Sequence, residues 1–354
     1  MPDLRQPTFS IVVPTFRRQD VLGRTLDALL ATDYPSDRFE VIIVDDADEN
    51  QTRDIAACAA GGEVELQVLS GAGRGAAAAR NQGSCAAGGE FLVFVDDDIL
   101  VPPRHLAAQL ETRSVHGDCI SGADWWEFTP EVLAELKGSP LGRYRLAVEQ
   151  SYRRRSEERW LTVTGLATAH LTVHRELFDE LGRFDERFPR AGVEDWEFCL
   201  RARERGHTLI LDNAIALLHN DRRLTLRQLC LREEWRGRSV GVLSQLRPAA
   251  YRQSEAYREN SPVQPDDPTW LRIRKATKQV LGLPILLEAL HATMGLLEHI
   301  VKADRVLHRL YRAVISVHYL RGFRAGLTSR LQSEPPALDG VGIRPSTAQE
   351  SARQ

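Results

Sequence analysis

Apolar residues in the first hundred positions fall into short runs separated by helical patterns. Phe9-Ser10-Ile11-Val12-Val13 is rich in β-branched residues and stops at Pro14, the mark of a buried strand. Val21, Leu22, Thr25, Leu26 and Leu29 then recur at spacings of three and four, predicting a helix with Asp20 placed to cap its start. Val41-Ile42-Ile43-Val44 reads as a second strand, Val64-Leu66-Val68 alternates as a third, and Phe91 to Val95 forms a fourth. Further strands are expected at Trp160 to Thr164, Ala169 to Val173, Thr208 to Leu211 and Ile215 to Leu218, with helices at Arg175 to Leu181 and Asp195 to Arg205. Alternation of this kind predicts an α/β fold, a mostly parallel sheet with helices on both faces, whose ligands sit outside the carboxyl ends of the strands. Residues 121 to 170 give no pattern from which loop contacts can be read.

The α/β unit is expected to fill residues 1–225. Residues 258 to 270, with Pro262, Pro265, Asp266, Asp267 and Pro268, read as a linker inside a helical extension at 226–330, and the Pro, Ser, Gln and Glu content of 331–354 reads as a disordered tail. Net charge is −3 with pI near 6.4, yet residues 271 to 330 hold eleven Lys and Arg against three acids. Apolar Leu296, Leu297, Ile300, Val301, Leu307, Leu310, Val314 and Val317 share that region with Arg272, Arg274, Lys275, Lys278, Lys302, Arg305, Arg309, Arg312, Arg321 and Arg324. Such helices suit a lid, a dimer contact or an anionic membrane surface. Nucleic acid is not an expected partner, because aromatic residues do not interleave with the basic ones for base stacking.

Five cysteines, odd in number and without a CxxC pair, read as reduced packing residues. Charges at Asp3, Arg5, Arg17, Arg18 and Asp20 interrupt anything resembling a secretory signal, and Val280 to Val301 is broken by Pro284, Glu288, His291 and Glu298. A cytoplasmic chain that does not cross a membrane is therefore expected.

Two acidic clusters fall where a site belongs: Asp45-Asp46 after the second strand and Asp96-Asp97-Asp98 after the fourth. On an extended backbone residues 96 and 98 point the same way, so both carboxylates can grip one hard divalent cation whose other positions take phosphate oxygens. A solvated acidic turn is the alternative, and the strand-end position argues against it. Gly71-Ala72-Gly73-Arg74-Gly75 leads into a helix carrying Arg80, so its backbone N–H groups, with Arg74 or Arg80, could meet a diphosphate. Neither a GxxxxGK[ST] loop nor a GxGxxG turn after the first strand is present, which disfavours P-loop nucleotidases and dinucleotide oxidoreductases. Trp125, Trp126 and Trp160 read as core residues, with sugar stacking as the alternative.

Taken in order, Ser10-Ile-Val-Val-Pro-Thr-Phe-Arg, Val41-Ile-Ile-Val-Asp-Asp, Ala79-Arg80-Asn81, Phe91 to Asp98, Leu181-Gly-Arg-Phe-Asp-Glu-Arg-Phe and Val193-Glu-Asp-Trp-Glu-Phe resemble the family-2 glycosyltransferases over about residues 8 to 220. Gly182-Arg183 stands where the family commonly has Gly-Gly. The resemblance implies a GT-A fold, a nucleotide-diphospho-sugar donor, a glycan or lipid-linked acceptor, inversion at the anomeric carbon and a divalent metal, Mn2+ or Mg2+. It implies that Pro14, Thr15, Phe16, Asp45 and Asp46 border base and ribose, and that Arg80, Asp96 and Asp97 lie near the donor. Asp96, Asp98 and His219 become metal ligands, and an imidazole among carboxylates suits manganese somewhat better. Asp195 becomes the base that deprotonates the acceptor hydroxyl, with Glu194 orienting it, binding acceptor or merely favouring the helix start. A sugar-1-phosphate nucleotidyltransferase and a non-catalytic nucleotide-sugar-binding protein remain as alternatives.

Overall fold

The computed structural model describes residues 9–329 except 60–61, 124–125, 153–156, 189, 191, 222–224 and 302. Trp125, Lys302 and the tail at 331–354 lie outside the described residues.

The first half alternates as its apolar runs require: β1 (Phe9–Thr15), α1 (Gln19–Leu30), β2 (Phe39–Asp45), α2 (Asn50–Ala59), β3 (Glu65–Ser70), α3 (Ala76–Ala86) and β4 (Phe91–Val95). Then come β5 (Ile99–Leu100), α4 (His105–His116), β6 (Ile120–Gly122), β7 (Trp126–Phe128), α5 (Pro130–Lys137), α6 (Pro140–Tyr152) and β8 (Trp160–Thr162). The unit closes with β9 (His170–His174), α7 (Arg175–Glu180), α8 (Glu194–Glu204), β10 (Leu209–Asp212) and β11 (Leu217–His219). Eight strands form one sheet in the order β3-β2-β1-β4-β9-β6-β10-β8, and β5-β11-β7 form a smaller one. Pairing is parallel from β3 through β4 and between β6 and β10, whereas β9 runs antiparallel to both of its neighbours and β8 antiparallel to β10.

Strand periodicity divides the interior into two layers. On β1, Val12 faces a core with Ile42, Phe94, Phe178, Phe184 and Phe198, while Ile11 and Val13 face the other with Val41, Ile43, Leu22, Leu26 and Leu29. Both β1 and β4 are buried throughout, as strands covered on each face must be. The edge strand β3 alternates between exposed and partly buried residues. One local expectation is corrected: α1 begins at Gln19 after Arg18, without a side-chain cap, and Asp20 sits within the first turn, where its charge still favours the helix dipole. In the stretch that gave no pattern, Thr129 caps α5 and Pro130 occupies its first position.

The extension comprises α9 (Leu226–Leu246), α10 (Pro248–Gln253), α11 (Glu255–Asn260), α12 (Thr269–Leu281), α13 (Pro284–Ile300) and α14 (Asp304–Thr328), so the irregular stretch is 261–268. Backbones of α9 and α14 meet over Gly237, Gly241, Gly322 and Gly326. A Cβ on Gly322 would lie 1.8 Å from the Glu234 carbonyl oxygen, and one on Gly237 2.1 Å from that of Tyr319. Of the apolar residues assigned from the sequence to an amphipathic surface, Leu307, Val314 and Val317 are buried, and Leu297, Val301 and Leu310 pack on the cluster that holds Leu307 and Val314; Leu296 and Ile300 stay exposed. Lys275 and Lys278 are likewise buried, against Asp267 and Glu259. Among the described residues no single helix is long and apolar enough to span a membrane, and α12 and α13 meet at a 97° bend.

Candidate active site

Two sheet edges converge on one cleft. β4 ends at Val95, and the chain turns through Asp97 and Asp98 before β5. Within the small sheet His219 of β11 registers with Ile99 of β5, while the Asn220 N–H donates to the Asp98 carbonyl at 2.8 Å. That register carries the imidazole to the acid: His219 Nε2 lies 3.2 Å from Asp98 Oδ2. Phe128 stacks on the His219 ring at 5.7 Å and Trp126 meets it edge-on at 5.4 Å, so β7 fixes the ring's plane.

Asp221 joins them. Ligand atoms of Asp98, His219 and Asp221 lie within 4.8 Å of one another. Arg145 of α6 holds Asp221 at 3.0 Å, and both are buried. Burial opposes protonation of His219, but the Asp98 charge and hydrogen bond, then Asp221, raise its pKa on balance. Its Nδ1 is buried without a hydrogen-bond partner among the described residues. Two carboxylates and one imidazole form a donor set that fits a divalent cation.

The carboxylates beside the trio are held by arginines. Because the backbone turns at Asp97, side chains 96 and 98 do not alternate as on an extended strand, and they face different partners. Arg18 donates to Asp97 Oδ1 at 3.0 Å and to Asp98 Oδ2 at 2.7 Å, and Thr15 Oγ1 donates to Asp97 Oδ2 at 2.8 Å. Burial pushes the Asp97 carboxyl up to about 7; Arg18 opposes this and Asp98 adds to it. Arg80, nearly inaccessible on α3, donates to Asp96 and to Glu194 at 2.7 Å each. Burial works against that guanidinium's charge, and the two carboxylates outweigh it.

Around these groups opens a cleft of about 650 Å³ lined by Pro14, Thr15, Phe16, Arg18, Asp46, Arg80, Asp96, Asp97, Asp98, Arg190 and His219, with Gln228, Leu231, Arg232 and Trp235 of α9 as one wall. Those four positions recur at three- and four-residue spacing, hence on one helical face. The Arg190 guanidinium stands over Phe16 at 5.6 Å and over Trp235 at 4.7 Å, linking the wall to the end of β1.

Residues 10–181 match the sequence model of glycosyl transferase family 2. This stretch of the chain belongs to that family. Glycosyltransferase AglE of Haloferax volcanii is 24% identical over 218 residues, 60% of this chain and 67% of AglE. The validoxylamine A glucosyltransferase of Streptomyces hygroscopicus subsp. limoneus is 26% identical over 56% of this chain and 49% of its own length. The chain spans about half the length of several curated relatives it matches. Its fold resembles that of the mannosyltransferase from Pyrobaculum calidifontis solved with GDP-Man and Mn2+, with TM-score 0.57 and 18% identity over 89% of this chain and 87% of the other. The mixed sheet with its flanking helices is a GT-A fold.

Of the positions expected to bind donor, Pro14, Thr15, Phe16, Asp46, Arg80, Asp96 and Asp97 line the cleft and Asp45 does not. Asp45 accepts the N–H groups of Ala47 and Glu49 at 3.0 and 2.8 Å, tying the loop after β2. The glycine loop is also turned inward. Its Arg74 and Gly75 N–H groups donate to Asp46 at 3.2 and 2.7 Å, and Gly75, at φ 96°, adopts a conformation that glycine favours. Asp98 and His219 meet as expected; Asp96, held by Arg80, lies outside the trio, and Asp221 takes its place.

Glu194 is buried, accepting the N–H groups of Gly192 and Val193 at 2.7 and 3.0 Å beside its Arg80 contact. Asp195 does not line this cleft, contrary to the expectation that it faces the same cavity. It is partly exposed on the next position of α8. Burial first, then Glu194, pushes its carboxyl up to about 7, with Arg80 opposing and Asp96 adding. Trp160 is structural, donating to Thr112 at 3.0 Å under Arg159. Sequence reasoning missed Arg18, Asp221, Arg190 and the α9 wall. Gln228, Leu231, Arg232 and Trp235 at helical spacing were the available signal for the wall.

Proposed function

We propose that this chain transfers a sugar, with inversion, from a nucleotide-diphosphate donor to an acceptor hydroxyl. The supporting observation is the meeting of Asp98, His219 and the buried Asp221 beside a cleft that Asp98 and His219 line together with Pro14, Thr15, Phe16, Asp96 and Arg80. Asp98, His219 and Asp221 would hold a divalent cation, Mn2+ or Mg2+. That cation supplies neutralisation of the charge gathering on a departing diphosphate. Phe16, Arg190 and Trp235 offer flat faces and a cation to a nucleotide, while Arg80 holds Asp96 at the donor side. Asp195 takes the acceptor proton. In support, its raised carboxyl is matched to work near neutral pH and it adjoins the Arg80–Glu194 pair while remaining partly exposed. Its place outside the donor cleft suits an acceptor arriving from a second side. Screening nucleotide sugars with Mn2+ tests this: the expected product is nucleoside diphosphate, and Asp195→Asn abolishes transfer while leaving donor binding. Pyrophosphate release instead would identify a nucleotidyltransferase, and silence with every donor would leave a binding protein.

The acceptor in this proposal is lipid-linked and met at the cytoplasmic face of an anionic membrane. Ile273, Val280, Leu283, Ile285, Leu296 and Ile300 of the α12–α13 segment are exposed, Ile285 by 84%. Arg305, Arg309 and Arg312, also exposed, fall at helical spacing on α14. Co-sedimentation with phosphatidylserine vesicles, weakened by Ile285→Asp and by salt, is expected; equal recovery with and without vesicles would remove the membrane from the proposal.

A further inference from the structure

Away from the carboxylates of the cleft's floor, three helices of the extension place a thiol and two imidazoles together, none of which lines the cleft. Cys230 of α9, His291 of α13 and His318 of α14 bring their ligand atoms within 4.8 Å of one another. His291 Nε2 and His318 Nε2 are 2.9 Å apart. The other nitrogen of His318, Nδ1, lies 2.7 Å from Glu234 Oε2, one turn beyond Cys230 on α9. A carboxylate accepting the Nδ1 proton fixes the tautomer and leaves the Nε2 lone pair free, the usual arrangement behind a metal-bound histidine.

We propose that Cys230, His291 and His318 form a second metal site, selective for Zn2+ and distinct from the oxygen-rich Asp98–His219–Asp221 set. Sulfur and nitrogen donors favour Zn2+ over Mg2+ or Mn2+, which prefer oxygen. Two imidazoles on one tetrahedral zinc, with bonds of about 2.0 to 2.1 Å, have their nitrogens about 3.3 Å apart. The present separation therefore needs to open by a few tenths of an ångström. Binding requires His291 to carry its proton on Nδ1 and Cys230 to release one proton to solvent; a solvent molecule completes the fourth position. Burial, with Glu234 and Glu233 behind it, pushes the Cys230 thiol up to about 12, so without a metal the sulfur is a neutral thiol. The site would tie α13 and α14 to the helix whose Gln228, Arg232 and Trp235 line the cleft.

The test uses the full chain, stripped with chelator and then given Co2+ or Zn2+ in the presence of excess Mg2+. One equivalent of Co2+ should give a thiolate-to-cobalt charge-transfer band that Zn2+ removes. Cys230→Ser should abolish the band, His291→Ala should weaken binding at least about tenfold, and Glu234→Gln should weaken it by about tenfold to a hundredfold. Asp98→Asn should keep the band, which separates this site from the cleft. His291 is partly exposed, so its variant is read for retained helicity alongside metal content. No thiolate band, or zinc stoichiometry unchanged in both Cys230→Ser and His291→Ala, would reduce the cluster to a hydrogen-bonded histidine pair and overturn the proposal.

Discussion

Replacing Arg80 by Met keeps most of the side chain's length and removes only the charge that two carboxylates share. Glu194 has 1% of its side chain accessible, so it would become a buried anion supported by two backbone N–H groups alone. Breaking a buried pair from one side costs about 3 to 5 kcal/mol. Asp96, with 36% of its side chain accessible, is screened by water and adds at most about 1 kcal/mol. A loss near 4 kcal/mol is therefore expected, about a thousandfold in the folded-to-unfolded ratio. Arg80→Met/Glu194→Gln removes both charges and should recover at least about 2 kcal/mol of it, a non-additivity expected of contacting groups. Urea unfolding of the wild type, both single variants and the double variant reads each corner of the cycle. If Arg80→Met costs under about 1 kcal/mol, or the double variant loses the sum of the singles, the buried clasp is not what secures α3 to α8.

Gly322→Ala forces a Cβ to within 1.8 Å of the Glu234 carbonyl, so a loss of about 1 to 3 kcal/mol is expected. Gly295→Ala on α13, where nothing lies within 4 Å, should gain about 0.5 to 1 kcal/mol, and thermal unfolding that ranks the two alike would contradict the seam. His105 and His170 touch at 3.1 Å with no exposure, and burial holds His170 at about 4 against an ordinary 6.5, with His105 lowered as well. The unfolded chain therefore binds more protons below pH 6.5, and stability falls as pH drops from there toward 4, by roughly 3 kcal/mol for His170 alone. His170→Gln should lessen that slope; an identical slope in wild type and variant would refute it. With Asp195 ionising at about 7, kcat/KM should rise with pH, reach half its plateau near 7 and level off above, whereas a profile flat from pH 6 to 8 would exclude this base.

The β1–β4 half was legible because β1, β2 and β4 are largely apolar runs, β3 alternates as an edge strand does, and turns follow them; the cleft lies at those strand ends by the same logic. Residues whose positions depend on neighbouring sequence were also placed on the cleft: Pro14 to Phe16 at the end of β1, and Asp98 just beyond β4. What escaped was set by contacts across the chain. Asp221 gains its place from Arg145, 76 residues away, and Arg18 from carboxylates 79 and 80 residues on. Asp45 was read as a donor contact because a strand-end acid has two fates, and only the Ala47 and Glu49 N–H groups decide between them. The separation of Asp96 from Asp98 has the same origin, since the turn at Asp97 breaks the two-residue alternation of a strand. In the extension the apolar stripe was correctly seen, but periodicity gives a face without saying what covers it. Leu307, Val314 and Val317 are covered by the chain itself.

The bare-backbone seam between α9 and α14 bears on how much of this chain a working enzyme needs. The family match stops at residue 181, yet one bank of the cleft hangs from α9, and α9 is riveted to a helix that begins at residue 304. Trimming the protein to its matched portion would discard that bank, and trimming before α14 would leave its support half dismantled. Specificity for the donor is thus expected to drift with sequence changes along α14 that never touch a ligand.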